Sequence, residues 1–99
     1  MKSHPLMIVR VDISPEVEAE WNEWYDQVHL PEILKVTGFI SGRRYRAVEG
    51  SPKYMALYEL ESVNVLTSEA FQRAKGWGKF APQISGRTFN VYEPINPSR

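Results

Sequence analysis

The chain of 99 residues has no cysteine and only two histidines. The first absence excludes disulfides, thiolate nucleophiles and thiolate metal sites together. The second leaves a single imidazole, His29, inside a patterned stretch. His4 and His29 have no two-histidine ligand spacing, and Asp26 with His29 supplies half a metal site at most, so no metal is expected. A surplus of charge is missing too. Lys and Arg number 12 and Asp and Glu number 12, which gives no basic surface for nucleic acid or an anionic membrane. The one short apolar run ahead of Asp12 is too brief for a signal segment or a membrane span, so a cytoplasmic, soluble protein is the expectation. Repeats, linkers and low-complexity tracts are absent. With 42% hydrophobic content the chain fits one domain over 1–99, with a core about 6–93. A chain of this length buries only about 60–65% of the surface it exposes unfolded, so self-association adds stability readily.

What is present centres on Trp21-Asn22-Glu23-Trp24-Tyr25-Asp26-Gln27-Val28-His29-Leu30-Pro31-Glu32. Val17, Trp21, Trp24 and Val28 recur at three- and four-residue spacing, which stacks them on one helix face and marks that face as core. At about 100° per residue, Glu18, Asn22, Tyr25, His29 and Glu32 form a second stripe along its margin, with Asp26 just beyond. Tyr25 and Asp26 lie one helical turn before His29, within reach of the imidazole. No other stretch has a chemical character of this kind.

Met1 to Pro5 reads as a disordered lead, and Leu6 to Ile13 as a strand rich in β-branched residues whose two side-chain parities are both largely apolar. Ser14-Pro15-Glu16 reads as N-cap, first-position proline and first-turn acid, so the first helix is expected to start at Pro15. Pro31 has no N–H for the Gln27 carbonyl and its ring crowds that oxygen, so the helix is expected to kink or break just before it. A last turn to Val36 closes at Gly38. Phe39 to Val48 and Tyr54 to Leu60 form a hairpin around Glu49-Gly50-Ser51-Pro52. Ser62 to Leu66 reads as a short helical turn, and Thr67 to about Lys75 as a helix with Thr67 as its cap. Residues 76–83 read as a loop with two exposed aromatics, Trp77 and Phe80. Gly86 to Glu93 is the last strand, and Pro94, Asn96 and Pro97 end the order. The succession β-α-β-β-α-β predicts an α+β, ferredoxin-like fold: a four-stranded antiparallel sheet with two helices on one face. Apolar residues on both parities of the first, third and fourth strands leave the other face in need of a cover, which a second copy supplies.

The succession Trp21-x-x-Trp24-Tyr25-Asp26-x-x-His29-Leu30-Pro31-Glu32, then Gly38-Phe39, Gly42-Arg43-Arg44-Tyr45 and Tyr54-Met55-Ala56-Leu57-Tyr58-Glu59-Leu60, resembles the dimeric α/β-barrel superfamily, nearest its EthD-like branch. The resemblance runs from about Val9 to Tyr92. It implies a homodimer with two sheets face to face and a small cavity in each subunit between sheet and helices, bordered by a helix histidine that His29 matches. Similar proteins include cofactor-free monooxygenases, muconolactone isomerases, polyketide cyclases and haem-degrading enzymes. The haem-degrading branch uses an Asn from the first strand together with Trp and His. This chain has Arg10 and Asp12 there, which speaks against that activity.

His29 is the candidate acid/base, with Tyr25 and Asp26 to orient it. Its structural alternative is a neutral histidine beside the proline kink, bonded to Asp26 or to a freed carbonyl such as that of Tyr25. Asn22, Trp24, Arg43, Tyr45, Tyr58 and Trp77 are the candidate ligand-binding residues. Arg43 and Tyr45 share a parity and so enter or leave the cavity together, while Arg43, Arg44 and Arg46 also protect an edge strand from pairing. Two functions remain open. One is a small enzyme, without cofactor, that moves a proton on an aromatic, lactone or polyketide-like molecule as an isomerase, cyclase or monooxygenase. The other is a non-catalytic dimeric module that binds a small apolar or aromatic ligand or assists a partner enzyme.

Overall fold

The computed structural model of the chain describes residues 3–96. The expected lead at Met1 and Lys2 and the expected end at Pro97 lie outside the described residues. His4 and Pro5, expected to be part of a disordered lead, are instead tied to the sheet. His4 Nδ1 stands 2.9 Å from Glu59 Oε2, and the Pro5 carbonyl accepts from Leu60 N–H.

The elements follow as β1 (Leu6–Ile13), α1 (Glu18–Trp24), α2 (Leu30–Leu34), β2 (Phe39–Arg46), β3 (Tyr54–Leu60), α3 (Glu69–Ala74) and β4 (Ile84–Tyr92). The four strands form one sheet in the order β2-β3-β1-β4, with every neighbouring pair antiparallel. The fold is ferredoxin-like α+β, with the helices on one face. That face is set by period-two alternation. Tyr54, Ala56, Tyr58 and Leu60 of β3 are buried while the residues between them are half-buried, and Met7 and Val11 of β1 join the same core. Among the described residues, no helix is long and apolar enough to cross a membrane.

The first helix departs from its expected form in three ways. Its start is a 3-10 turn, Pro15–Val17, and Ser14 does not cap it through its side chain; the Ser14 hydroxyl is turned toward the Gln83 carbonyl. Pro31 does not break it. A π-helical turn, Tyr25–His29, joins α1 to α2, and Leu30 N–H donates to the Tyr25 carbonyl five residues back. The wider turn carries the chain past the proline with helical geometry on both sides. The inserted residue also changes which face is buried. Four residues advance an α-helix by about 400°, a drift of about 40° from alignment, and the π turn removes that drift. Trp21, Tyr25, His29 and Ile33 therefore line up at four-residue spacing and are all buried, whereas Val28, expected in the apolar stripe, is 43% exposed.

Gly38 closes the helix as expected, with φ +102°, and a Cβ there would come within 2.6 Å of Val65 Cγ2. The short turn before α3 is 3-10, Val63–Thr67, and the cap of α3 is Ser68, whose hydroxyl accepts from Phe71 N–H at 3.2 Å. Thr67, the expected cap, instead donates to the Asn64 carbonyl. Residues Gly78–Gln83 form a further 3-10 segment that turns Phe80 into the core, so only Trp77 of the two loop aromatics is even partly exposed.

Candidate functional site

His29 is the last residue of the π turn and is 6% exposed. Three aromatic rings wall its imidazole. Trp24 stacks on it at 4.8 Å with 12° between planes, Tyr25 meets it edge-on at 4.8 Å, and Trp77 lies tilted at 6.0 Å. Neither partner of the structural alternative reaches it. The Tyr25 carbonyl is taken by Leu30 N–H, and the Asp26 carboxylate accepts from Arg44 Nη1 at 2.8 Å. Among the described residues, none is hydrogen-bonded to the imidazole. Burial, and behind it the positive charge of Arg44, hold its pKa down at about 4, against an ordinary 6.5. The ring is neutral at physiological pH, with one nitrogen a donor and the other an acceptor.

The imidazole faces a cavity of about 350 Å³ between the helices and the β1/β3/β4 part of the sheet. Met7 and Val9 come from β1, Tyr58 from β3 and Phe89 from β4; Tyr25, His29 and Ile33 come from the first helix, and Phe71 and Trp77 from α3 and the following loop. Deep in it, the Tyr25 and Tyr58 hydroxyls share a buried hydrogen bond of 2.7 Å. Burial is the main cause that raises the pKa of both phenols, so both stay protonated. The pair owns two protons and uses one between its oxygens, leaving one O–H free for a ligand acceptor. Gly42 makes room for this arrangement: a Cβ there would come within 2.8 and 2.9 Å of Tyr58 ring carbons.

Behind Tyr25 sits Arg44 of β2. Its guanidinium carbon is 4.3 Å from the Tyr25 ring centroid and 4.9 Å from that of Trp21, while its nitrogens donate to Asp26 and, at 2.7 Å, to Asn22 Oδ1. Asn22 also donates to the Tyr54 hydroxyl, which donates in turn to Glu18. Asn22 and Asp26 thus belong to a second, open groove on the β2 side rather than to the His29 cavity. Asp26 does not orient His29.

Of the residues singled out in the sequence, the structure brings Tyr25, His29, Tyr58 and Trp77 around one cavity, with Trp24 stacked behind the imidazole. Arg43 and Tyr45 lie on the opposite face of the sheet, beside Leu57 and Met55 of β3. The cause is a bulge. Phe39 pairs with the inward Leu60, but Ser41 pairs with the outward Glu59, so one extra residue reverses the parity and hands the inward positions to Gly42 and Arg44. A second bulge, opposite Val11, likewise sets the side on which Arg87 and Phe89 fall. Phe71, Lys75, Arg87 and Phe89 also line the cavity and Arg44 backs Tyr25, positions that the sequence alone does not pick out as candidate site residues. Only the alternation of β3, read across the hairpin with the bulge included, carries a signal for Arg44. Among the described residues, no three His, Asp or Glu side chains converge to hold a metal ion.

A search of curated proteins returns no match. Solved structures do match over nearly the whole chain. The haem-degrader MhuD from Mycobacterium tuberculosis, with two haems bound in its active site, has a TM-score of 0.69 at 15% identity and covers 96% of this chain and 99% of its own. A variant of SnoaB, a cofactor-independent oxygenase from Streptomyces nogalater, gives 0.67 at 10% identity over 95% and 96%. An EthD family protein from Bacillus halodurans gives 0.63 at 19% identity over 92% and 99%. The likeness to the dimeric α/β-barrel superfamily and its EthD-like branch therefore holds at the level of fold. In sequence, the model of a family described as a domain of unknown function, DUF4286, matches residues 6–83, from β1 to the 3-10 segment before β4, and the chain belongs to that family.

Proposed function

We propose that the protein is a small enzyme that needs no cofactor, binds a planar aromatic, lactone or polyketide-like molecule in the His29 cavity, and moves a proton on it. The observation that carries this reading is a neutral imidazole, unpaired among the described residues, facing an aromatic cavity opposite a tyrosine pair with a free O–H. Buried polar groups are nearly always satisfied within the protein, and a polar face left open toward a cavity suits a ligand that satisfies it. In the proposed step the imidazole lone pair takes a proton from an enol oxygen or from a carbon next to a carbonyl. The electron pair moves onto the carbonyl oxygen, which accepts the free O–H of the Tyr25/Tyr58 pair. Trp24 offers its ring face to the imidazolium. Return of the proton to a different ligand atom completes an isomerisation. In a cyclisation the enolate carbon first bonds to a carbonyl carbon of the same molecule, and the oxygen of that carbonyl takes the proton. In an oxygenation the enolate gives its electrons to dioxygen as a second substrate.

The test is hydrogen exchange into an enolisable planar ketone in D2O, followed by proton NMR. Wild-type protein is expected to accelerate exchange, and His29→Gln to reduce that acceleration by roughly 10²–10⁴-fold with its fold retained. Exchange that is unaltered in His29→Gln would contradict the reading. A second reading, a binding module without turnover, is favoured by the pKa of about 4 at His29, which suits a permanent acceptor better than a base. It predicts ligand binding with no acceleration of exchange in the wild type.

The outer sheet face supports a further part of the proposal, a homodimer. Leu6, Ile8, Met55 and Leu57 are half-buried there, and Tyr45 and Tyr92 stand exposed at its flanks. A second copy covering this face gives these residues the apolar contact that a single chain lacks.

A further inference from the structure

We propose that the ligand of the His29 cavity is an acid: a planar body that enters apolar end first and carries a carboxylate held at the mouth by Lys75 and Arg87. This rests on the reading of the cavity as a pocket for a planar molecule and adds the charge of that molecule.

The residues lining the cavity include two cationic side chains, Lys75 and Arg87, and no Asp or Glu. The skew is local, because the chain as a whole has 12 cationic and 12 anionic side chains. Several other cations are matched by carboxylates: Arg44 by Asp26, Lys53 by Glu18, Arg73 by Glu69 and Lys79 by Glu20. Among the described residues Lys75 and Arg87, like Arg10, Lys35, Arg43 and Arg46, have no carboxylate partner, and of these only Lys75 and Arg87 line the cavity.

Local structure places both on the cavity lining. Lys75 follows α3 directly; its N–H closes on the Phe71 carbonyl at 2.9 Å, and Gly76, at φ +114°, turns the chain away after it. Arg87 stands at the β4 bulge, two residues before Phe89, and one of its nitrogens donates to the Ala81 carbonyl at 3.1 Å. That single bond steadies the guanidinium and leaves its other donors open. A planar fork with free N–H groups fits the two oxygens of a carboxylate, and the Lys75 ammonium adds a flexible point charge. The depth of the cavity offers only neutral polar groups, His29 and the tyrosine pair, against apolar walls. An anion placed there loses water without meeting a cation at contact, whereas at the mouth it meets two. The charged end is therefore fixed outward and the reacting end inward.

The test compares 2-naphthoate with its methyl ester, titrated into the protein at low and high salt while tryptophan fluorescence is followed. The acid is expected to bind about tenfold or more tightly than the ester, as charge-assisted hydrogen bonds allow. That advantage should shrink with salt and vanish in the double variant Lys75→Gln/Arg87→Gln, while ester affinity stays level. Both positions are exposed, and an unchanged melting temperature checks that the variant folds. Equal affinity for acid and ester in the wild type, or an acid preference that survives the double variant, overturns this proposal alone. Binding of neither probe overturns the pocket reading with it.

Discussion

His29 was legible in the sequence because it is the one histidine on a patterned helix, and the margin of the apolar stripe is where a cavity wall lies. Its partner was not. Asp26 is three residues away along the helix, but Arg44, which is remote in sequence, takes that carboxylate, and no local rule announces a competitor from another strand. Leaving the imidazole buried and without a partner has a thermodynamic consequence. The folded-state pKa of about 4 lies below the ordinary 6.5, so between these values the unfolded chain binds more protons than the folded one. The stabilisation is complete above pH 6.5 and is lost as pH falls toward 4, amounting to roughly 3 kcal/mol at most. Glu18, whose pKa is lowered from 4.5 mainly by hydrogen bonds from Lys53 and Tyr54, adds stability that is lost only as pH falls below 4.5, at the foot of that window and outside the pH 5 to 7 comparison. Urea unfolding at pH 7 and pH 5 should show wild-type stability falling between the two, and His29→Gln falling less. Parallel slopes for the two proteins would mean that the imidazole titrates freely in the folded state.

Strands and helices were legible as elements, since alternation in β1 and β3 and the proline and glycine punctuation around the first helix are local signals. Their phase was not legible, because three insertions of one residue each reset it. The π turn exchanged Val28 for Tyr25 and His29 on the buried face, the bulge after Phe39 exchanged Arg43 and Tyr45 for Gly42 and Arg44, and the β4 bulge set the side of Phe89. Each insertion shifts every later side chain of its element, so a correct pattern read without it selects the wrong face. Gly42 offers a direct check on the β2 phase. If it faces Tyr58, Gly42→Ala drives a methyl to within 2.8 Å of the ring and 3.1 Å of Leu30 Cδ1. Such overpacking should cost about 1–3 kcal/mol in chemical denaturation and weaken ligand binding as Tyr58 moves. A neutral effect on both would place position 42 on the open face.

The βαββαβ topology was the most legible feature, because element order and short connections leave few ways to build the sheet. The proposed homodimer rests on the same pattern: a sheet with helices on one face and half-buried apolar side chains on the other gains a cover from a second copy. Size exclusion with light scattering should give about twice the chain mass of 11.4 kDa, and Leu57→Arg should shift it toward the monomer while leaving the His29 cavity, on the other face, able to bind ligand. A stable wild-type monomer at micromolar concentration would remove the dimer from the account. The central claim, a neutral and unpaired imidazole facing a ligand pocket, is reached most directly by nitrogen-15 NMR of the two histidine side chains, titrated with acid and then with 2-naphthoate at pH 7. The account predicts a His29 midpoint near 4 and, on adding ligand, a shift confined to His29, because His4 lies against Glu59, an outward residue of β3. A His29 midpoint near 6.5 with no response to the ligand would contradict it.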